Sequence, residues 1–120
     1  NAADALIAPS LEARFPLQVA WADGPAGPLP SRQAGLGLDL DGVRVTAFGP
    51  NPDGPGTVLR LWEYAGRGGR CSVHLPLGMD PRSVQPVDLR GRPLGAPLPV
   101  RARVFHLEMK PFAPASVVIR

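Results

Sequence analysis

Apolar and polar residues alternate in two neighbouring runs near the middle of the chain, and a loop of turn-forming residues separates them. The alternation over residues 43–48, and again over residues 58–64, has the period of two that a pleated strand imposes. The loop at residues 49–56 holds three prolines, which donate no backbone hydrogen bond, and three glycines, which tolerate positive φ. Pairing must stop in such a loop, so these segments predict a β-hairpin.

Runs of the same kind recur along the chain, joined by segments rich in proline and glycine. They predict further strands at residues 15–21, 36–40, 70–75, 84–89, 101–110 and 116–119. The pair Asp41–Gly42 predicts a two-residue turn that folds the strand at 36–40 back onto the strand at 43–48, and the glycines after Tyr64 predict another hairpin. No helix of three turns or more is predicted, because Pro9 is expected to end the weak helical character at the start of the chain.

Eight strands without a long helix predict the fold class. We expect an all-β protein, an antiparallel immunoglobulin-like β-sandwich of seven or eight strands, over residues 11–120. Residues 1–10 are predicted to be a linker or a boundary between domains. At 120 residues the chain has room for one domain with one core.

Composition narrows the classes of function. The 16 prolines and 14 glycines make a quarter of the chain, but 44% of residues are hydrophobic, which favours many short strands over disorder. The net charge of +3 comes from scattered arginines, which argues against nucleic-acid binding.

We expect neither a membrane segment nor a signal peptide. A single cysteine excludes an internal disulfide and leaves the compartment open, and the missing initial Met suggests a piece of a longer protein.

Candidate chemistry is sparse along the chain. Cys71 and His74 have the spacing of two metal ligands, but strand alternation puts them on opposite faces, and zinc needs at least three ligands. Ser72 lacks the sequence context that is typical of an activated nucleophile. Glu63 and Glu108 form a carboxylate pair only if their strands are neighbours. We therefore expect no catalytic residue and no metal site in this chain.

Trp62 is the residue of greatest functional interest, because it shares a strand face with Arg60 and Tyr64, opposite two leucines. If that face is turned outward, Trp62 can stack on a sugar ring or can anchor the chain on a neighbouring domain. Packing within the domain, as a cover for the second face of the sheet, is the third alternative.

Several segments of strands and turns carry a resemblance to a known family. They are EARFPL at 12–17, VRVTAFGP at 43–50, DGPGTVLRLWE at 53–63, VDL at 87–89 and PFAPAS at 111–116. Together they resemble the C-terminal β-domain of bacterial glycoside hydrolase family 38 proteins, the α-mannosidase family. The resemblance covers nearly the whole chain, from about residue 11 to residue 120.

The resemblance implies a non-catalytic module of a larger retaining α-mannosidase-like enzyme, whose partner is the catalytic domain of the same polypeptide. It also implies that the zinc ion and the catalytic aspartate belong to that other domain, so that this chain holds no cofactor. Loops of such β-domains approach the substrate cleft, which makes Asn51 and Asp53 in the 49–56 loop candidate contacts. Trp62, Arg60 and Tyr64 are candidate contacts with a sugar or with the neighbouring domain. The alternative function is a carbohydrate-binding module that recognises mannose-type glycans through an exposed Trp62.

Overall fold

The computed structural model describes the backbone of residues 2–120 and the side chains of residues 5–120. The chain divides into two compact units, one ending at Gln33 and the other spanning Ala34–Arg120. The first unit contains α1, a helix over Ala2–Arg14, and the second contains all the strands.

Helix α1 continues through Pro9 instead of ending there, so the expectation that the chain has no helix of three turns is wrong. Most of its 13 residues are Ala, Leu, Ile, Glu or Arg, which favour helix. Pro9 removes one N–H donor from the helix, and the hydroxyl of Ser10 donates to the carbonyl of Ile7 at 2.9 Å in the same turn. Asn1 of the predicted linker lies outside the described residues. No described helix has the length and apolar character needed to cross a membrane.

The segment at residues 15–21 is not a strand, although its alternation predicted one. Its four large apolar side chains face solvent: Phe15 is 71% exposed, Leu17 98%, Val19 97% and Trp21 95%. Alternation records which residues share a face of a strand, but a strand also needs a partner for its backbone hydrogen bonds. Among the described residues, no strand pairs with this segment.

The second unit is a sandwich of two antiparallel sheets, which confirms the predicted β-sandwich, and seven of the eight predicted strands are present. The strands are β1 (Gly37–Leu38), β2 (Val43–Pro50), β3 (Thr57–Glu63), β4 (Gly69–His74), β5 (Val84–Val87), β6 (Val104–Met109) and β7 (Pro114–Ile119). One sheet has the order β1-β4-β6, and the other has the order β2-β3-β7-β5.

The core lies between the sheets and takes side chains from both of them. Inward residues of β3 alternate with outward ones exactly as their period of two requires, and the same holds for β4 and β6. The largest fully buried apolar side chains are Phe105, Leu59, Leu61, Val73, Val84 and Val117. The predicted hairpin of β2 and β3 is confirmed, with Val43 opposite Glu63 at its open end.

Two further predicted hairpins are wrong, because the chain crosses between sheets at both places. β1 pairs with β4 and not with β2, so Asp41–Gly42 leads from one sheet to the other. β3 and β4 also belong to different sheets, and residues 64–68 connect them. The physical reason is that turn residues permit a change of direction, whereas the partner of the next strand depends on where its apolar face finds a core.

A β-bulge at Thr46 changes the faces of β2. Val45 is opposite Leu61, but Ala47 is already opposite Arg60, so the register shifts at Thr46. The Thr46 hydroxyl donates to the carbonyl of Arg60 at 3.2 Å. Beyond the bulge, residues that simple alternation assigned to one face of β2 lie on the other face. Phe48 is therefore beside Leu59 in the register.

Candidate functional site

The outer face of the four-stranded sheet carries the aromatic and arginine side chains that the sequence singled out. Trp62 of β3 is half-buried there and lies beside Arg44 of β2 in the register. The ring centroids of Trp62 and Tyr64 are 5.7 Å apart with a tilt of 50° between the planes. The guanidinium of Arg44 lies 5.4 Å from the Tyr64 centroid. We define Arg44, Arg60, Trp62 and Tyr64 as the Arg–aromatic cluster.

The two aromatic residues of this cluster differ in access to solvent. Tyr64 follows the end of β3 and is only 7% exposed, and its amide donates to the carbonyl of Gly42 at 2.9 Å. Trp62 is half-buried, so part of its ring remains accessible. Of the two rings, Trp62 is therefore the one that offers a surface to a ligand or to another domain.

Both arginines of the cluster keep hydrogen-bond donors without an acidic partner. The Nη2 atom of Arg60 donates to the carbonyl of Leu89 at 3.4 Å, across the sheet. The Nε atoms of Arg44 and Arg60 are buried and have no acceptor among the described residues. Since a guanidinium has five N–H donors in a planar fork, each arginine can still take a carboxylate or a hydroxyl oxygen.

Ser116 adds a polar atom to the same face. The register places Ser116 of β7 directly beside Arg60 and beside Val87 of β5. The residue is 7% exposed, and its hydroxyl has no hydrogen-bond partner among the described residues. The centre of the outer face therefore combines a guanidinium, an indole and a free hydroxyl.

The 49–56 loop stands at the other end of the β2–β3 hairpin from Trp62 and Tyr64. The Oδ1 atom of Asn51 accepts the amide of Asp53 at 3.2 Å, which makes an Asx turn. A cavity of about 410 Å³ opens beside this loop, with Arg60 as its charged lining residue. The structure thus splits the predicted contacts into two groups, the loop residues at one end and the aromatic pair at the other, with Arg60 between them.

Glu63 is a residue whose importance the sequence analysis missed. Its carboxylate is fully buried and accepts four backbone N–H groups, from Ala65 at 3.1 Å, Gly66 at 3.0 Å, Arg67 at 3.1 Å and Phe112 at 2.7 Å. These donors belong to two sheet-to-sheet connections, β3 to β4 and β6 to β7. The Glu63 carboxylate therefore links the two connections through hydrogen bonds to both of them.

Burial alone would raise the pKa of Glu63, but the amide donors outweigh burial. Hydrogen bonds from Phe112, Arg67 and Gly66 hold the pKa of this carboxyl below its ordinary value. The carboxylate is thus ionised in the folded chain at neutral pH. The sequence does contain a sign of this burial. Glu63 lies two residues after Leu61 and four after Leu59, and therefore on the same inward face of β3.

Comparison with protein families gives a match to the sandwich. The profile of the glycosyl hydrolases family 38 C-terminal beta sandwich domain matches residues 42–113. That is more than half of the 120-residue chain. The chain belongs to this family. No curated protein and no solved structure matched the chain.

The family 38 sandwich domain places a serine, a histidine and an aspartate together on the outer face of its three-stranded sheet. The Ser72 hydroxyl lies 3.1 Å from Nδ1 of His106, and Oδ1 of Asp39 accepts the Ser72 amide at 2.6 Å. Hydrogen bonds from Ser72 lower the pKa of Asp39. In a serine hydrolase the carboxylate orients the imidazole, whereas here it bonds to the serine. This arrangement is therefore a surface hydrogen-bond chain without the order of a catalytic triad.

The other chemical candidates of the sandwich domain lie apart. Cys71 is buried in the core, where burial raises the pKa of its thiol, and His74 is exposed on the opposite face. The described part of the chain has no group of three His, Cys, Asp or Glu residues that could hold a metal ion. Glu63 and Glu108 belong to strands of different sheets, so the carboxylate pair considered from the sequence does not form.

Proposed function

We propose that this family 38 sandwich domain is a non-catalytic C-terminal accessory domain of a larger glycoside hydrolase of the α-mannosidase type. In this proposal it packs against the catalytic domain of the same polypeptide and supports it. The observation that carries the proposal is the family match over residues 42–113, which includes β2 to β6 and the Arg–aromatic cluster. The zinc ion and the catalytic aspartate of such an enzyme then belong to the other domain.

The Arg–aromatic cluster is the proposed contact with the catalytic domain. Trp and Arg are the residue types that contribute most binding free energy in protein interfaces. Here a half-buried Trp62 lies opposite Arg44 of β2 and two residues along β3 from Arg60. An acidic or carbonyl-rich surface that covers this face would meet two guanidiniums that have no acidic partner among the described residues. The 49–56 loop, with Asn51 and Asp53, is a second proposed contact, directed towards the substrate cleft.

The isolated 120-residue chain is expected to release no aryl leaving group from aryl α-mannosides, because the described residues assemble no acid and base pair and no metal site. The measurement is a colour assay on chain that has been freed of contaminating enzyme. In parallel, an immunoblot of source cells with antiserum against the chain is expected to show a band several times larger than 12.7 kDa. Activity of the isolated chain, or a native band near 12.7 kDa, would overturn the proposal.

Carbohydrate binding through Trp62 is the second candidate function, favoured by the partial exposure of its indole beside two guanidiniums. Sugars stack on such rings, and arginines donate to their hydroxyl groups. On this alternative, manno-oligosaccharides change the tryptophan fluorescence of the chain in a saturable way. Trp62→Ala is expected to abolish the change.

Trp21 provides the control for this titration, because it is the second tryptophan of the chain and is 95% exposed. If Trp62 binds the sugar, the Trp21→Phe variant keeps the saturable signal. Flat curves for the unmodified chain and for both variants exclude the binding module and leave the accessory role.

A further inference from the structure

The segment at residues 15–21 has the pattern of a half-buried strand but the exposure of an unpaired one. Phe15, Leu17, Val19 and Trp21 would share one face of an extended strand, and each is at least 71% exposed. The segment contains no charged residue. A surface that stays in water seldom carries four large apolar side chains in one stripe, so the stripe indicates contact with something outside this structure.

The family 38 sandwich does not need this segment. The family profile begins at residue 42, and the buried core draws only on residues of the second unit, which begins at Ala34. Residues 15–21 belong to the first unit, together with α1. The buried core of the sandwich therefore does not account for the apolar stripe.

The period of two identifies the partner as a β-sheet. If this segment bound as a helix, its apolar residues would be three and four positions apart, whereas alternate residues share a face only in an extended strand. An extended segment gains affinity by adding its backbone hydrogen bonds to the open edge of a sheet.

Pro16 decides which side of the segment pairs. In a strand, the backbone groups of alternate residues point to opposite edges, and Pro16 has no N–H. The edge formed by Phe15, Leu17, Val19 and Trp21 therefore has its full set of donors, whereas the other edge lacks one. A strand with one incomplete edge is suited to the outermost position of a sheet.

We propose that residues 15–21 form the edge strand of a β-sheet in the part of the parent polypeptide that precedes the sandwich domain, with the apolar stripe packed into that sheet's core. The inference rests on the proposed function, because it requires a larger parent. Residues 22–35, with three prolines and three glycines, then connect the added strand to the sandwich.

Hydrogen exchange tests the inference by comparing the full-length parent with the 120-residue chain. The amides of Leu17, Val19 and Trp21 are expected to exchange freely in the isolated chain and to be protected roughly 100-fold or more in the parent, whereas those of Gln18 and Ala20 face the open edge and gain no hydrogen bond. If the native protein proves to be no larger than this chain, the proposed function fails and the inference fails with it. If a larger parent exists but the amides of Leu17, Val19 and Trp21 exchange freely in it, the inference alone is overturned. Protection already present in the isolated chain also overturns it, since the partner would then be this chain or a second copy.

A matched pair of substitutions distinguishes the two faces of the segment. Val19→Asp places a charge in the apolar stripe, whereas Gln18→Asp places the same charge on the opposite face. In the parent, Val19→Asp is expected to reduce the protection of the Leu17, Val19 and Trp21 amides at least tenfold, and Gln18→Asp less than threefold. In the isolated chain neither variant should shift the melting temperature, since both side chains are exposed. Equal losses of protection in the two variants would contradict the proposed strand.

Discussion

Replacement of Glu63 by glutamine is expected to lower the melting temperature of the chain by roughly 10 °C or more at pH 7. Oε1 of Glu63 accepts the amides of Ala65 and Arg67, and Oε2 accepts those of Gly66 and Phe112. Glutamine has nearly the same volume but exchanges one oxygen for an NH₂ group. Whichever oxygen is exchanged, two of these amides lose their acceptor in a region that water does not reach.

The control for this variant is Glu108→Gln, which removes the same charge from an exposed position on β6. Its melting temperature should lie within about 2 °C of the unmodified chain, as expected for surface substitutions. Thermal unfolding followed by circular dichroism measures both variants. A similar decrease in both would show that the lost charge, and not the four hydrogen bonds, is responsible.

The pH dependence provides a second readout of Glu63. Its pKa is lower in the folded chain than in the unfolded chain, so its contribution to stability is complete above the ordinary glutamate pKa of about 4.3. That contribution is lost as the pH falls through the lowered pKa of the folded state. Asp39 and Asp88 also have lowered pKa values, so their protonation in acid reduces the stability of the chain as well. The contribution of Glu63 is therefore the difference between the unmodified chain and Glu63→Gln, which should shrink as the pH falls below about 4.

Gly42→Ala is expected to reduce the free energy of unfolding by about 2–4 kcal/mol. Gly42 has a φ of 84°, which an alanine adopts only with strain. A Cβ atom at this position would also overlap the Cβ atom of Ala65, which is itself 3% exposed and donates its amide to Glu63. The overlap occurs where the chain crosses from β1 to β2, so that neither backbone can move away easily.

Gly95→Ala separates the two causes, because Gly95 has a similar φ of 73° but open space around it. This variant should cost only about 1–2 kcal/mol, the conformational part of the effect. Urea unfolding of both variants gives the comparison. If Gly42→Ala costs no more than Gly95→Ala, the contact with Ala65 is not what requires glycine at this position.

Local pattern was sufficient to predict the strands of the sandwich but not their partners. Alternation identified the inward leucines of β3 and the inward aromatic of β6, because the period of two is a property of one strand. The choice of partner depends on the whole core. The turn at Asp41–Gly42 has the residues of a tight hairpin and yet leads into the other sheet, because β1 packs its apolar side beside β4.

In the candidate site, too, the sequence predicted which residues of one strand share a face, but not which residues of other strands join them. The sequence placed Arg60, Trp62 and Tyr64 on one face, which the structure bears out. Arg44 joins them only through the register of β2 on β3, and the bulge at Thr46 reverses the parity beyond it. No single-strand pattern contains either fact. The segment at 15–21 is the converse case, a strand pattern whose partner is not among the described residues.

The position of β7 has a consequence for how the domain is made. β7 is the last strand in the sequence, yet it lies between β3 and β5 in the middle of its sheet. During synthesis β5 has no neighbouring strand in this sheet until β7 has been made, so the sheet is incomplete before residues 114–119 are available. Long-range pairing of this kind makes folding slow and leaves apolar edges open meanwhile. The domain therefore depends on β7 to complete folding, and a deletion within residues 114–119 would leave the sandwich exposed to aggregation and to proteases.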